Sequence, residues 1–390
     1  MNCVDFFESV YHCSPEGVSF CPYRICPIGA HIDHQFGKIT GFAIDKGINV
    51  AYAPSTDGVV DVCSMQFDVR VRWHINNVPQ KKQNDWADYL RGATLELSRN
   101  HPLEKGITAV FEGSLPIGGL SSSAAVILSF LVALCKVNQI NISPREAVIL
   151  AQKAENAYVG VSCGKLDQSC EVYSKKDHLL YLDTKTDEYE LIPASPNMKP
   201  YKTAIFYSGL SRSLAGSRYN TRVDECRAAA YSLMAFEGME YGRFGEANLR
   251  DVPYDLYIKH GSRLPFDWAK RAEHCFTEFD RVERGVAAWR NGDIELFGKL
   301  SSESGYSSIF NYEAGSDELK MLYDIITQTD GIYGGRFSGA GFKGCCFAFI
   351  DPAYEEKILE VVGLKYKKAF PKLAEKYSAY ICDSADGIKR

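Results

Sequence analysis

The sequence lacks the charge and hydropathy patterns of nucleic-acid-binding and membrane proteins. Its 390 residues include 44 basic and 49 acidic side chains, a formal net charge of −5, and neither sign collects in a tail. No broad basic face for nucleic acid or anionic lipid is therefore predicted. The longest nearly apolar run, residues 124–135, has 12 residues and is interrupted by Ser129, whereas a membrane-spanning helix needs about 20. These absences favour a folded protein whose partner is a small molecule.

Paired C-x-x-C spacing, which is typical of zinc sites, is also missing although the chain has 13 cysteines. Several cysteines lie inside apolar runs, among them Cys345, Cys346 and Cys382. The first residues show no basic stretch followed by an apolar core, so no signal peptide is predicted. We therefore expect buried thiols in a reducing compartment, and a cytoplasmic protein.

The order of predicted elements indicates an α+β protein of two domains. Strand-like segments lie at 18–25, 39–52, 59–63, 67–75 and 107–112, and helical periodicity marks 86–97, 124–137 and 144–158. Three prolines between residues 192 and 200 indicate the boundary, which predicts domains at 1–195 and 196–390. The second half repeats the mixture, with strands at 203–207 and 345–350 and helices at 219–236, 268–289 and 317–328.

Two glycine-rich segments point to close backbone approach. In residues 115–134, Gly118, Gly119 and three serines join a strand to an apolar helix, and the amide groups at such a helix start suit a phosphate. An ordinary capped loop is the alternative. The G-x-G-x-x-G pattern at residues 339–344 leads into a strand rather than a helix, which argues against a dinucleotide fold. No G-x-x-x-x-G-K-[ST] phosphate loop is present.

Two polar segments carry candidate chemistry. Residues 22–36 contain Arg24, His31, Asp33 and His34, for which a sugar site, a metal site and a solvated turn are all open. Residues 154–169 contain Glu155 and Asp167, two carboxylates that can reach one site from different elements. Magnesium binding together with general-base or electrostatic work would use such a pair.

In this order, the four segments resemble the GHMP kinases, specifically the galactokinase branch. Residues 23–34, YRICPIGAHIDH, are similar to the GRVNLIGEHTDY-like segment of galactokinases. Residues 116–124 match P-x-G-G-L-S-S-S-A, residues 163–168 match CG-x-x-DQ, and residues 336–345 match R-x-[ST]-G-[AG]-G-F-G-G-C. Residues 85–89, DWADY, and 217–222, SRYNTR, resemble the branch's adenine and sugar segments. The resemblance implies a two-domain GHMP kinase fold with mixed sheets, helices on one side and the active site in the cleft between the domains.

The resemblance also implies roles for individual residues. Asp167 corresponds to the catalytic aspartate and Arg24 to the arginine beside it. The implied sugar contacts are Ala30, His31, Asp33, Gly164 and Tyr219; the implied ATP contacts are Trp86 and Tyr89 at the adenine and Gly118, Gly119, Ser121, Ser122 and Ser123 at the phosphates. Ser123 and Glu155 would hold Mg²⁺. Whether Asp167 takes the hydroxyl proton or only stabilises the transition state stays open.

Two departures from the branch's motifs concern specificity. Ala30 stands where galactokinases have a glutamate near the C6 hydroxyl of the sugar, and Lys343 replaces a glycine. Loss of a negative charge at the C6 end makes room for a uronic acid, so the sequence resembles the galacturonokinase members of the branch. ATP-dependent phosphorylation of galacturonate at its anomeric hydroxyl is the expected activity. Galactokinase, N-acetylgalactosamine kinase and a non-catalytic sugar sensor remain alternatives.

A candidate for the uronate carboxylate follows from the same comparison. Lys165 stands where galactokinases usually have an apolar residue, and a solvated lysine is the alternative. Arg212 and Arg218 are the next candidates.

Overall fold

The computed structural model describes residues 2–210, 216–239 and 242–389. Arg212 and the side chain of Arg218 lie outside this description. In the described residues the strands are β1 (Gly17–Ile25), β2 (Lys38–Ser55), β3 (Val59–Ser64), β4 (Phe67–His74), β5 (Gly106–Gly113), β6 (His178–Asp183), β7 (Tyr189–Pro193), β8 (Lys202–Tyr207), β9 (Ile332–Phe337), β10 (Cys345–Ile350), β11 (Ser378–Cys382) and β12 (Ser384–Ala385). The helices are α1 (Cys3–Tyr11), α2 (Asp88–Ser98), α3 (Ser122–Val137), α4 (Pro144–Lys153), α5 (Leu166–Tyr173), α6 (Gly216–Phe236), α7 (Tyr254–His260), α8 (Phe266–Arg290), α9 (Ile294–Phe310), α10 (Asp317–Thr327) and α11 (Glu355–Ala369).

The strands form two sheets, as expected for an α+β protein. The larger sheet has the order β4-β3-β5-β2-β6-β7, with β1 and β12 also paired to β2. It is mixed, because β3 and β5 run parallel whereas the other pairs are antiparallel. The smaller sheet, β11-β8-β10-β9, is antiparallel throughout. The strand β12 returns to the first sheet, and the domain division at residue 195 stays a prediction.

The helix α3 is the centre of the first layer because it is apolar on nearly all sides. Residues such as Ile127, Phe130 and Leu134 are fully buried, and α3 contacts β1, β2 and β5 on one side and α2, α4 and α5 on the other. The short helix α1 covers part of the opposite face of the sheet through Cys3 and Phe7. One apolar core continues into the second half, where Trp289 packs against Phe42 of β2.

Most predicted elements of the sequence occur in the structure within a few residues. The helix predicted at 144–158 begins as expected, with the Ser143 side chain accepting a hydrogen bond from the Glu146 amide and Pro144 as the first helical residue. It ends as an α-helix at Lys153, however, and continues as a π-helical turn over Ala154–Val159. Single π-helical turns within helices are frequent at functional sites.

All 13 cysteines are free, and all except Cys13 and Cys163 are buried. This agrees with the expectation of buried thiols. Among the described residues, none of the helices is both long enough and apolar enough to cross a membrane.

Candidate active site

The four sequence segments meet in one cleft of about 630 Å³. The first half contributes β1, the turn before α3, the π-helical turn and the start of α5; the second half contributes Tyr219 of α6 and residues 337–343, between β9 and β10. The residues implied for catalysis, sugar, ATP and Mg²⁺ binding all line this cleft, whereas His34 and Lys165 do not. These residues, predicted from the sequence, thus lie together in a cavity lined by both halves of the chain.

An arginine and an aspartate form the ion pair at the centre of the cleft. Arg24 lies on β1 and Asp167 in the first turn of α5, and the Arg24 Nε and Nη2 atoms both lie 2.8 Å from Asp167 Oδ1. Although burial alone lowers the pKa of the Arg24 guanidinium, Asp167 raises it above its ordinary value. Arg24 Nη1 also donates to Gly119 O (3.2 Å) and Ser338 Oγ (3.0 Å). Arg24 thus fixes Asp167 relative to both glycine-rich segments.

The turn before α3 has the geometry of a phosphate-binding loop. Gly118 and Gly119 have φ values of 136° and 82°, and a Cβ on Gly118 would lie 2.9 Å from Gly344 Cα. Ser121 adopts a left-handed conformation with φ of 60°, and its buried hydroxyl has no hydrogen-bond partner among the described residues. The helix α3 begins at Ser122, and its first amide groups have no partner within the helix. Ser121, Ser122 and Ser123 line the cleft, so these amides and the Ser121 hydroxyl are available to an anion there.

A buried carboxylate lies beside this loop. Glu155 belongs to the π-helical turn, interacts with the Ser123 hydroxyl, and accepts a hydrogen bond from Gln168 Nε2. Burial, together with the charge of Asp167, raises the pKa of Glu155 to about 7. Among the described residues no group of three or more His, Cys, Asp or Glu side chains forms a metal cage. One carboxylate and one hydroxyl fit Mg²⁺, which takes few protein ligands when it also binds substrate phosphates.

The sugar-segment residues lie at the other end of the cleft. Asp33 Oδ2 accepts a hydrogen bond from the Leu166 amide (3.2 Å), and a Cβ on Gly164 would lie 2.3 Å from the same oxygen, so this carboxylate requires a glycine beside it. Burial, with the charge of Asp167, raises the pKa of Asp33 to about 6. Ala30 is 7% exposed and presents only a methyl group to the cleft.

His31 is held as a neutral ring. Its imidazole stacks on Tyr312 with centroids 4.4 Å apart, and its Nε2 atom lies 3.2 Å from Gly339 O. Burial and the charge of Arg336 lower the pKa of His31 well below its usual value. Because Nε2 must carry the proton to meet a carbonyl, Nδ1 is a buried acceptor, and it has no partner among the described residues. A substrate hydroxyl can donate to such an atom.

The metal interpretation of the H-x-D-H segment finds no support. His34 Nε2 lies 3.0 Å from the Tyr312 hydroxyl and His31 Nε2 lies 3.2 Å from Gly339 O, and these histidines belong to no group of three or more potential metal ligands among the described residues. Tyr219 lines the cleft, and its ring meets His34 edge-on at 6.1 Å.

The structure does not place Lys165 toward the sugar. Its ammonium pairs with Asp187, which also binds Arg145 at 2.9 Å, and Lys165 does not line the cleft. The proposal that Lys165 attracts a uronate carboxylate is therefore wrong, because its side chain pairs with Asp187, between β6 and β7, and does not line the cavity.

Aromatic side chains line the end of the cleft where the resemblance implies adenine contacts. Trp86 stacks on Phe67 with centroids 5.9 Å apart, and its indole donates to Val69 O (3.0 Å). Tyr89 of α2 and Phe111 of β5 complete the pocket. Burial raises the pKa of Tyr89 to about 12, so its hydroxyl stays a donor at neutral pH.

Sequence reasoning missed three supporting residues. Ser338 binds Arg24, Tyr312 stacks on His31, and Phe67 stacks on Trp86. Ser338 lies inside a segment already singled out, at residues 336–345, so its motif was a signal for it. Tyr312 and Phe67 lie outside every motif, and only the three-dimensional packing reveals them.

Comparison with known proteins identifies the family of this site. The description GHMP kinases N terminal domain matches residues 88–175, and GHMP kinases C terminal matches residues 286–368. A galacturonokinase of Arabidopsis thaliana is 39% identical in an alignment that covers 95% of this chain and 93% of the relative. The chain belongs to the GHMP kinases. A galactokinase of Clostridium acetobutylicum is 32% identical, with 98% and 97% of the two chains covered, which agrees with the galactokinase branch.

Solved structures of a galactokinase and a mevalonate kinase share the fold. The galactokinase of Lactococcus lactis complexed with galactose superposes with a TM-score of 0.89 at 26% identity, covering 99% of this chain and 98% of that one. The mevalonate kinase of Methanococcus jannaschii gives a TM-score of 0.64 at 14% identity, covering 95% and 98%. The second comparison concerns the fold alone.

Proposed function

We propose that this GHMP kinase transfers the γ-phosphoryl group of ATP to the anomeric hydroxyl of D-galacturonate, giving galacturonate 1-phosphate. The observation that carries the proposal is Ala30, a small uncharged residue at the sugar end of a cleft built around the Arg24–Asp167 pair. The similarity to a plant galacturonokinase over nearly the whole chain supports the same substrate.

The cleft is arranged to bind the two substrates end to end. Trp86 and Tyr89 would flank the adenine, and the phosphates would lie on Gly118, Gly119 and the three serines that start α3. Asp33, His31, Gly164 and Tyr219 line the opposite end, where carboxylate and imidazole acceptors suit sugar hydroxyls. Asp167 lies between the two ends, beside the region where the acceptor hydroxyl meets the phosphate.

Phosphoryl transfer depends mainly on positioning and charge stabilisation, and both fall to Asp167 and Arg24. The Asp167 carboxylate is 29% exposed on the cleft side and so can accept a proton from the sugar hydroxyl or stabilise its developing positive charge. Arg24 keeps this carboxylate in place and contributes a positive charge next to the phosphoryl group in transfer. Its contact with Gly119 O holds the phosphate loop at the same time.

Ser123 and Glu155 are the residues that would hold Mg²⁺. When bound, Mg²⁺ neutralises charge on the phosphate oxygens. The raised pKa of Glu155 indicates a carboxylate that lacks a positive partner, which is the environment that a cation relieves. The thirteen free thiols support a reducing compartment, and we place the enzyme in the cytoplasm.

A turnover assay with the purified chain tests the proposal. ATP and Mg²⁺ are supplied with galacturonate, galactose, glucuronate or N-acetylgalactosamine, and ADP release is measured. We expect the highest kcat/KM for galacturonate. A higher value for galactose would assign the protein as a galactokinase, and sugar binding without turnover would assign it as a sensor; either result overturns the proposal.

A further inference from the structure

The turn between β9 and β10 forms one wall of the cleft and carries a lysine. Lys343 lines the cleft together with the preceding residues of this turn. Its carbonyl carbon lies 3.9 Å from the point where a Cβ on Gly118 would lie, and Gly344 Cα lies 2.9 Å from the same point. The backbone of Lys343 therefore lies directly beside the loop of Gly118 and Gly119, so the lysine side chain can reach a ligand bound there.

The charges that line the cleft leave Lys343 without a competing partner. Among the described residues, the carboxylates in the lining are Asp33, Asp85, Glu155 and Asp167, and the only lysine and arginine there are Lys343 and Arg24. Arg24 is committed to Asp167. Lys343 has no hydrogen-bond or ion-pair partner anywhere in the described part of the chain. A triphosphate brought into this cleft would meet one uncommitted ammonium group.

The backbone of the same turn also has free donors. The amide of Ser338 donates to Cys345 O and that of Gly344 to Leu210 O. Residues 339–343 lie between Ser338 and Gly344, and their backbone amides donate to no other described residue. Consecutive free amides in a glycine-rich turn favour an anion. The start of the turn contacts both His31, through Gly339 O, and Gly119, which would lie 3.0 Å from a Cβ on Gly339, whereas Gly344 packs on Gly118.

We propose that Lys343 binds the phosphate chain of ATP from the second half of the molecule, facing the loop of Gly118 and Gly119. This inference rests on the proposed ATP-dependent activity and assigns a further binding residue to it. The resemblance offers no precedent, because the galactokinase motif has glycine at this position. A charge-assisted contact from a solvent-exposed lysine contributes to affinity and is weakened by salt.

The test compares nucleotide binding by Lys343→Met, Lys343→Arg and the wild type, using ATP and adenosine as probes. We expect Lys343→Met to weaken ATP binding roughly 3- to 30-fold and to change adenosine binding by less than about twofold. Lys343→Arg should restore most of the ATP affinity. Lys320→Met serves as a control, because Lys320 lines a neighbouring groove that also borders Phe342.

The same variants in the turnover assay separate the alternatives. A rise in the KM for ATP with an unchanged KM for galacturonate supports the contact. A rise in the KM for galacturonate alone would move Lys343 to the sugar carboxylate, equal losses for ATP and adenosine would indicate a packing change, and unchanged ATP affinity would indicate a solvated lysine; each overturns the proposal. Activity of the wild type is measured first, so failure of the proposed function shows independently of Lys343.

Discussion

In the proposed function, phosphoryl transfer depends most directly on Asp167. The change Asp167→Asn keeps the shape of the side chain and removes its charge beside the reacting hydroxyl. We expect kcat to fall by at least about 100-fold, in line with general-base contributions of roughly 10² to 10⁴. ATP binding, measured by calorimetry, should change little. Asp187→Asn is the matched control, because Asp187 pairs with Lys165 outside the cleft. Activity of Asp167→Asn within a few-fold of the wild type would remove Asp167 from the mechanism.

The magnesium assignment concerns two other residues. Glu155→Gln and Ser123→Ala should each raise the Mg²⁺ concentration that gives half-maximal rate, because each removes one of the few protein ligands. The measurement is a Mg²⁺ titration of the rate at saturating ATP and sugar. Unchanged titrations for both variants would show that Glu155 and Ser123 only shape the loop.

Single residues differ in how well the sequence predicts their position. Asp167, Arg24 and the serines before α3 lie in segments with distinctive spacing, and the structure brings them into one cleft. The prediction that Lys165 faces the sugar is wrong. Consecutive residues at the start of a helix point in different directions, so its position two residues before Asp167 did not determine where its side chain lies. Asp187, which binds it, is 22 residues away along the chain, and no local pattern links the two.

At the scale of elements, the contact between the two glycine-rich turns connects the halves of the cleft. Gly344 has φ of 99°, and a Cβ there would lie 2.4 Å from the carbonyl carbon of Gly118. Gly344→Ala should therefore displace the phosphate loop, raise the KM for ATP and lower the Tm. The control is Gly238→Ala, since Gly238 also has positive φ but nothing within 4 Å of its Cβ position. That variant isolates the backbone cost, about 1 to 2 kcal/mol. Equal effects of both variants on the KM for ATP would contradict the contact.

Elements were predictable where periodicity was strong. The strand predicted at 18–25 and the helix predicted at 124–137 lie within two residues of the observed bounds of β1 and α3. The change from α-helix to π-helix at Ala154 was not predictable, because the apolar spacing of residues 144–158 fits one continuous helix. Glu155 belongs to this π-helical turn and lines the cleft. The pairing of β12 with β2 depends on long-range packing and has no local signal.

At the scale of the whole molecule, a buried acid links stability to pH. Glu171 of α5 is fully buried, and its two carboxylate oxygens have no hydrogen-bond partner among the described residues. Burial, with the charge of Asp167, raises the pKa of Glu171 well above its ordinary 4.5. The folded chain therefore keeps a proton that the unfolded chain releases above about pH 4.5. Stability is lost as the pH rises from there toward the pKa of the folded state.

Glu171→Gln should remove this pH dependence, because an amide does not titrate. We compare the free energy of unfolding of the variant with that of the wild type. Between pH 6 and pH 8 the difference, variant minus wild type, should increase by up to about 1.4 kcal/mol per pH unit. Other buried acids titrate in both proteins and cancel in the difference. Denaturant unfolding at the two pH values measures it, with the exposed Glu375→Gln as control. A difference that does not change with pH would show that Glu171 is ionised in the folded state.

The central claim is that galacturonate is the substrate. Introducing a charge at residue 30 tests this claim most directly. At about 4 Å, two carboxylates repel by about 4 kcal/mol at an effective dielectric constant near 20. Solvent and relaxation of the side chains should reduce this to about 1 to 3 kcal/mol, which corresponds to roughly 5- to 150-fold in kcat/KM. Galactose carries a hydroxyl at C6, which can donate to a new carboxylate. A glutamate at this position should therefore act against galacturonate selectively.

The measurement is the ratio of kcat/KM for galacturonate to kcat/KM for galactose in the wild type, Ala30→Glu and Ala30→Gln. Glutamine matches glutamate in size, so the difference between the two variants isolates charge. We predict a wild-type ratio above one, and a ratio for Ala30→Glu that is roughly 5- to 150-fold below that for Ala30→Gln. Equal ratios for the two variants, or a wild type that prefers galactose, would contradict the assignment of galacturonate as the substrate.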